Sequence, residues 1–184
     1  MNIKLRTITI ELLVISLLIS GCGSGQSSGA APEPASASLT LYLCANGSDK
    51  ELTANCAAQP NEYSTANLYP KYNTTIDFVH TLAGDIKGES YTFDLWFASG
   101  GSSTFDAALI VQQSGQETVL ASASFVVTGK SFTRYTQTVS GIDPTTTAGD
   151  ILILRISPTA GDPGGVISKS VPEGASSVTI PEIK

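Results

Sequence analysis

The sequence predicts an all-β protein, an antiparallel β-sandwich of about nine strands. Three observations lead to this prediction. Residues 39–184 contain short runs in which apolar and polar residues alternate. Glycine and proline separate these runs at intervals of roughly ten residues, and no segment shows helical periodicity over eleven or more positions. Short strands with this spacing are typical of two packed antiparallel sheets or of a barrel, and we prefer the two packed sheets.

The alternation within each run indicates which side chains face the core. In order along the chain, the predicted strands are SLTLYLC, TTIDFVHTL, YTFDLWF, FDAALIVQQ, TVLASASFVV, FTRYTQTVSGI, DILILRIS, GVISKSV and SSVTIPEI. Side chains of a strand point alternately to its two faces. In the third run one face therefore carries Tyr91, Phe93, Leu95 and Phe97, and the other carries Thr92, Asp94 and Trp96. Buried apolar faces and polar outer faces favour a jelly-roll-like sandwich.

A single turn joins the fourth and fifth runs. Ser114-Gly115-Gln116-Glu117 lies between two strand-like segments and predicts a hairpin connection. The alternating runs lie within residues 39–184. This segment of 146 residues has a common length for one domain. We therefore expect a single β-sandwich domain over these residues.

The N-terminal segment, residues 1–21, has the order of an export signal. The basic residues Lys4 and Arg6 precede an apolar stretch that is shorter than the about 20 residues needed to span a bilayer. The stretch ends in Ile19-Ser20-Gly21-Cys22, which resembles the lipobox of bacterial lipoproteins. The resemblance implies cleavage before Cys22, attachment of a diacylglycerol to its thiol and acylation of the new amino terminus. The expected partner at this end is thus the membrane, through the lipid.

Residues 22–38 are rich in Gly, Ser, Ala and Pro, which predicts a flexible tether. The resemblance to lipoproteins implies an extracytoplasmic location. In Gram-negative bacteria an Asp at position 23 would retain the protein at the inner membrane, so Gly23 favours the outer membrane, whereas in a Gram-positive cell the protein would stay on the single membrane. Residues 22–184 carry 8 Lys and Arg against 15 Asp and Glu, a net charge of −7. A chain of this charge repels phosphate backbones, so no nucleic-acid partner is expected.

Two further cysteines, Cys44 and Cys56, are separated by ANGSDKELTAN. No His or Cys lies near enough to complete a zinc-ligand spacing. In an oxidising compartment a disulfide between them is expected, and it would contribute about 3 kcal/mol in the chain-entropy model. Two free buried thiols are the alternative.

The sequence predicts no catalytic site, no metal and no cofactor. The chain has one histidine, His80, and no Gly-x-Ser-x-Gly motif that could present a nucleophile beside it. Asp94 interrupts an aromatic run, but no closely spaced acidic repeat accompanies it, so a glycosidase pair is not indicated. We expect Asp94 to lie on the solvent face or to pair with Arg134 or Arg155. Loop aspartates that could hold a structural calcium are Asp143, Asp150 and Asp162.

Aromatic residues outside the core pattern are the candidates for ligand binding. Tyr63, Tyr69 and Tyr72 crowd a polar segment, NEYSTANLYPKYNTT, predicted to be a loop. Exposed aromatic rings supply contact area on which sugars stack, although such rings also commonly pack on a sheet edge. Trp96 and Asp94, on one face of a strand, complete the candidate set.

The predicted sandwich loosely resembles jelly-roll carbohydrate-binding modules, which implies a non-catalytic binding or adhesion role toward a glycan, a cell-wall polymer or a protein. A structural or assembly subunit of an envelope complex is the alternative, and a hydrolase is a third class.

Overall fold

A computed structural model describes residues 38–44, 50–54, 64–68, 74–161, 165–171 and 174–184. It confirms the predicted all-β class, because every regular element in these ranges is a strand. The strands are β1 (Leu39–Leu43), β2 (Leu52–Thr53), β3 (Ser64–Leu68), β4 (Ile76–Thr81), β5 (Ile86–Lys87), β6 (Ser90–Ser99), β7 (Ser102–Gln113), β8 (Gln116–Thr128), β9 (Thr133–Ser140), β10 (Ile151–Gly161), β11 (Gly165–Val171), β12 (Gly174–Ala175), β13 (Ser177–Ile180) and β14 (Glu182–Ile183).

All nine predicted runs coincide with strands, the last run containing both β13 and β14, and four further strands are described. Three of these, β2, β5 and β12, have two residues each. A strand of two residues is too short to show an alternating pattern, so its sequence carries no signal. The fourth, β3, corrects the prediction that residues 61–75 form a loop, since Ser64–Leu68 pairs with β11.

The strands form two main sheets and one small ladder. Sheet 1 has the order β12-β11-β6-β13-β1-β2, with β3 paired to β11 and β9 paired to β6. Sheet 2 has the order β4-β10-β7-β8, and β5 pairs with β14. Every ladder between these strands is antiparallel.

The inward faces of the two sheets form one apolar core. The predicted core face of β6 is confirmed, since Tyr91, Phe93, Leu95 and Phe97 are fully buried. An aromatic cluster links the sheets: the Phe97 ring stacks on Phe105 of β7 with centroids 5.1 Å apart. Phe125 of β8 and Tyr135 of β9 contact the same ring at 5.7 and 6.1 Å. Such aromatic pairs add to the free energy gained by burial.

One side of the sandwich is closed by the chain between β1 and β2. The Lys50 carbonyl accepts a hydrogen bond from Val79 of β4, at the edge of sheet 2. Two residues later, Leu52 pairs with Leu43 in sheet 1. The chain therefore bridges the two sheets at this side. Cys44 lies beside the bridge, and it is buried and disulfide-bonded.

Several predictions fall outside the described residues. Cys56 is one of them, so its pairing with Cys44 stays a prediction. Residues 1–37 are also outside, and with them Cys22, the lipobox and nearly all of the tether. The described residues contain no helix, and therefore none that is long and apolar enough to cross a membrane.

The hairpin between β7 and β8 has the predicted position. Ser114 and Gly115 form its two-residue turn, with φ values of 50° and 83°. Positive φ at both positions is what a type I′ turn requires, and its twist matches that of the flanking strands.

Candidate binding face

The outer face of sheet 1 is built from the residues that alternate with the buried core positions. We call it the polar face. It consists of Thr40 and Tyr42 of β1, Thr92, Asp94 and Trp96 of β6, Arg134, Thr136 and Thr138 of β9, and Ser177 and Thr179 of β13. Residues directly opposite each other in an antiparallel ladder lie on the same face, so the register brings these side chains together. Most carry a hydroxyl group.

Asp94 and Arg134 form the charged centre of the polar face. The Arg134 Nε and Nη2 atoms donate to the two carboxylate oxygens of Asp94 at 2.7 and 2.6 Å. The Thr136 hydroxyl donates to Asp94 Oδ1 at 3.1 Å. Because of the hydrogen bond with Asp94, the pKa of the Arg134 guanidinium is raised. The Arg134 side chain is 59% exposed and that of Asp94 is 21% exposed, so the pair is within reach of a ligand.

Trp96 stands next to this pair on the same face. It is directly opposite Arg134 in β9 and Ser168 in β11. Its backbone N–H donates to the Ser176 hydroxyl at 2.9 Å, which ties β6 to the chain between β12 and β13. The indole is partly exposed, and its N–H makes no hydrogen bond to any described residue. A Cβ at Gly174 would lie 3.4 Å from Nε1, so β12 passes close to the ring.

A row of four threonines crosses the polar face beside Asp94. The residues are opposite one another on four adjacent strands, in the order Thr138, Thr92, Thr179 and Thr40. Their hydroxyls pair within the row, Thr92 with Thr138 at 2.8 Å and Thr40 with Thr179 at 3.0 Å. Each paired hydroxyl retains acceptor lone pairs. The row can therefore offer hydrogen-bonding groups at the spacing of the strands, about 4.8 Å.

Four carboxylates away from this face, those of Asp77, Asp85, Glu117 and Asp150, form hydrogen bonds or ion pairs with neighbouring side chains. Arg155 lies between Asp77, at 2.8 Å, and Glu117, at 2.7 Å. The hydrogen bond from Arg155 lowers the pKa of Glu117. Hydrogen bonds that favour the charged form also lower the pKa values of Asp85 and Asp150. The largest contribution comes from Lys87 for Asp85 and from Gln113 for Asp150. General-acid chemistry needs a carboxyl with a raised pKa, and these shifts have the opposite direction.

The one histidine and the loop aspartates have structural partners. His80 Nδ1 lies 3.0 Å from the Leu52 carbonyl oxygen. Asp143 accepts a hydrogen bond from Gly88 N at 3.0 Å, and Asp150 accepts one from Gln113 Nε2 at 2.7 Å. Within the described ranges, no group of three or more His, Cys, Asp or Glu side chains is placed to hold a metal ion. Asp162 lies outside these ranges.

The structure brings together two of the five predicted ligand-binding residues. Asp94 and Trp96 share the polar face, and the partner of Asp94 is Arg134, one of the two arginines considered for it. Tyr63, Tyr69 and Tyr72 lie outside the described residues. The prediction did not include Tyr42, although it alternates with the buried residues Leu41 and Leu43 and so has an outward position.

Three solved structures with a similar fold belong to larger enzymes. A CocE/NonD family hydrolase from Staphylococcus aureus aligns with a TM-score of 0.65 and 12% identity, over 86% of this chain and 38% of the hydrolase. An aminopeptidase from the marine sediment archaeon Thaumarchaeota archaeon gives 0.63 and 9%, over 81% and 37%. An α-amino acid ester hydrolase gives 0.59 and 13%, over 80% and 36%.

These likenesses show a shared fold and nothing further, because the identities are so low. The chain spans a little over a third of the length of each of the three enzymes. A CBM4 structure and the Carbohydrate-Binding Module CBM36 also align, with TM-scores of 0.45 and 0.34, values too low to indicate a shared fold. No protein-family model and no curated protein matches the sequence.

Proposed function

We propose that this protein is a non-catalytic binding module that holds a glycan on its polar face. The observation that carries the proposal is the position of Trp96, a partly exposed aromatic ring beside the bidentate Asp94–Arg134 pair. An aromatic ring offers an apolar surface to the C–H face of a sugar. Planar carboxylate and guanidinium groups offer acceptors and donors to sugar hydroxyls.

The charge of the protein favours an uncharged glycan. Residues 22–184 have a net charge of −7, which repels acidic polysaccharides at low ionic strength. The guanidinium of Arg134 is already neutralised by Asp94, so it does not attract anions strongly. A neutral polymer that contacts Trp96 and the threonine row fits this surface best.

The role is proposed to be binding without turnover. The described carboxyl groups with shifted pKa values are all shifted downward, whereas a glycosidase acid needs the opposite. The oxygen atoms of Asp94 accept three hydrogen bonds from Arg134 and Thr136, and the remaining lone pairs can accept a hydrogen bond from a sugar hydroxyl. Incubation of the protein with bound oligosaccharides and an ester library tests this directly, because release of products would place it among the hydrolases.

Fluorescence titration with neutral oligosaccharides tests the binding site. The chain has a single tryptophan, so its emission reports on the polar face alone. We expect oligosaccharides to change this emission and to protect Trp96 from a soluble quencher. Trp96→Ala should abolish binding measured by calorimetry.

Val126→Ala is the matched control, because Val126 is 63% exposed on β8 of sheet 2 and lies away from the polar face. It should bind as the parent protein does. Equal binding by Trp96→Ala and the parent protein would show that the glycan site lies elsewhere, and absence of binding to any glycan would remove the proposed function.

We also propose that the module is held outside the cytoplasm by a lipid on Cys22, with residues 22–38 as its tether. The support is the order of charged, apolar and small residues before Cys22. One acyl chain alone binds membranes reversibly, and two or more are needed for stable anchoring. Mass spectrometry of the native protein tests this, since an unacylated Cys22 thiol would contradict it.

A further inference from the structure

A cleft opens at one end of the polar face, beside the first residue of β6. Its volume is about 310 Å³, and we call it the end cleft. The residues that line it include Lys87, Gly88, Ser90, Thr92, Thr179 and Glu182. Thr92 and Thr179 also belong to the threonine row. The end cleft is therefore continuous with the polar face.

Strand β6 connects the end cleft with Trp96. Its outward side chains are, in order, those of Ser90, Thr92, Asp94 and Trp96, since the residues between them are buried. Successive outward residues of a strand lie about 6.8 Å apart, so Ser90 and Trp96 are separated by about 20 Å. The polar face thus has a line of contact groups along one strand, with an aromatic ring at one end and the end cleft at the other.

The neighbouring strands provide hydrogen-bonding groups on both sides of this line. Between Trp96 and Ser90, the residues opposite the line on β9 and β13 are Thr136, Thr138, Ser177 and Thr179. All four are small and carry a hydroxyl group. A linear ligand above β6 would meet these hydroxyls along its length, and near Trp96 it would meet the guanidinium of Arg134.

The charged side chains at the end cleft are balanced within the protein. Lys87 of β5 and Glu182 of β14 are opposite each other in their ladder and both line the cleft. Lys87 forms an ion pair with Asp85, and Glu182 forms one with Lys184. The four side chains carry two positive and two negative charges. They offer donors and acceptors to hydroxyl groups without a net charge that would select an ionic ligand.

The wall of the end cleft is held in place by contacts of the backbone. A Cβ at Gly88 would lie 3.1 Å from Cβ of Pro181, so the two residues are packed against each other. The backbone N–H of Gly88 donates to Asp143 Oδ1 at 3.0 Å. Backbone hydrogen bonds between Asp85 and Lys184 extend the β5–β14 ladder. A site that is already formed requires little ordering when a ligand binds.

We propose that the bound glycan lies along β6, with one sugar ring on Trp96 and the other end of the bound segment in the end cleft. This inference rests on the proposed glycan function and adds the direction and the length of the ligand. The line from Ser90 to Trp96 corresponds to about four linked pyranose units. The site therefore takes a linear, neutral tetrasaccharide or a segment of a longer chain.

A ligand that followed the threonine row would not reach both ends of this line. The row crosses the sheet from β9 to β1, and Trp96 lies about 14 Å from it along β6. The direction along β6 is the one in which a single linear ligand contacts the Trp96 ring, the Asp94–Arg134 pair and the end cleft.

The dependence of affinity on ligand length tests this direction. Calorimetry of the full chain with disaccharides, tetrasaccharides and hexasaccharides of linear glucan, mannan and xylan measures it. Within a series that binds, the tetrasaccharide should bind about tenfold or more tightly than the disaccharide, because it adds about two hydrogen bonds at the end cleft. The hexasaccharide should add little, since its outer units extend beyond the line.

Ser90→Tyr places a bulky side chain in the end cleft. Ser90 is exposed, so the core is unchanged and the Tm should equal that of the parent protein. The tetrasaccharide affinity should fall to about that of the disaccharide, and disaccharide binding at Trp96 should be retained. Ser122→Tyr is the matched control, because Ser122 is an exposed strand residue of β8 in sheet 2. It should bind both ligands as the parent does.

Thr92→Val tests the middle of the line without adding bulk. The valine side chain has nearly the same shape as threonine and lacks the hydroxyl. We expect tetrasaccharide binding to weaken about fivefold and disaccharide binding to be unchanged. Unchanged tetrasaccharide binding by this variant would place the glycan away from β6.

The outcomes separate this inference from the proposed function. A parent protein that binds the disaccharide and the tetrasaccharide equally tightly would overturn the direction along β6 and leave glycan binding at Trp96. A Ser90→Tyr variant with the tetrasaccharide affinity of the parent would do the same. Absence of binding to all three series would count against both.

Discussion

Removal of the Phe97 ring should destabilise the protein more than any change on the polar face. Phe97 is fully buried and contacts three aromatic rings from β7, β8 and β9. Phe→Ala changes in cores cost about 3–5 kcal/mol through lost burial and the cavity that remains. Domains have total stabilities of about 5–15 kcal/mol. Phe97→Ala therefore removes about a fifth or more of the stability, and it should lower Tm by about 6–20 °C.

Urea unfolding, followed by the fluorescence of Trp96, measures this loss. The reporter is adjacent to Phe97 in β6, and it is the single tryptophan of the chain. Val126→Ala is the control, because it removes a side chain that is 63% exposed, and it should cost less than about 0.5 kcal/mol. Equal losses for the two variants would refute the view that the aromatic cluster holds the two sheets together.

Three further predictions concern the turn, the acid response and the polar face. Gly115→Ala should lower the free energy of unfolding by about 1 kcal/mol, because φ is 83° at this position. Thermal unfolding measures this loss, and an unchanged Tm would contradict the type I′ turn. The pKa of Glu117 is lowered by Arg155, so its contribution to stability is present above about pH 4.5 and is lost as the pH falls further. Acid titration of Glu117→Gln should therefore show a shallower loss of stability below pH 4.5 than the parent, and parallel curves would count against this pair. Arg134→Lys keeps the charge but loses the bidentate contact with Asp94; calorimetry should show weaker glycan binding with an unchanged Tm, and full affinity would exclude the guanidinium from the site.

The strands and their faces could be predicted because the direction of a side chain along a strand is a local property. The alternation in YTFDLWF places Phe93 and Phe97 inside and Asp94 and Trp96 outside, and the structure confirms each position. β3 was missed because Ser64–Leu68 lies in a polar segment without clear alternation. Its strand conformation depends on pairing with β11, which is distant in sequence.

The sequence did not show which residues become neighbours on the polar face, because this depends on the pairing of strands that are distant in sequence. The sequence allowed Arg134 or Arg155 as the partner of Asp94. Arg134 lies beside Asp94 because β9 pairs with β6. Arg155 lies in sheet 2, where it contacts Asp77 and Glu117. The four threonines of the row come from β1, β6, β9 and β13, so their alignment also appears only when the sheet order is known.

The sequence by itself determined the β class, the position of the main strands and the inward or outward direction of their residues, since these follow from backbone geometry with a period of two. The tertiary structure decided which strands are neighbours, and with that the Asp94–Arg134 pair beside Trp96. Strand order rests on the summed packing and hydrogen bonding of segments far apart in the chain, and no single segment encodes it.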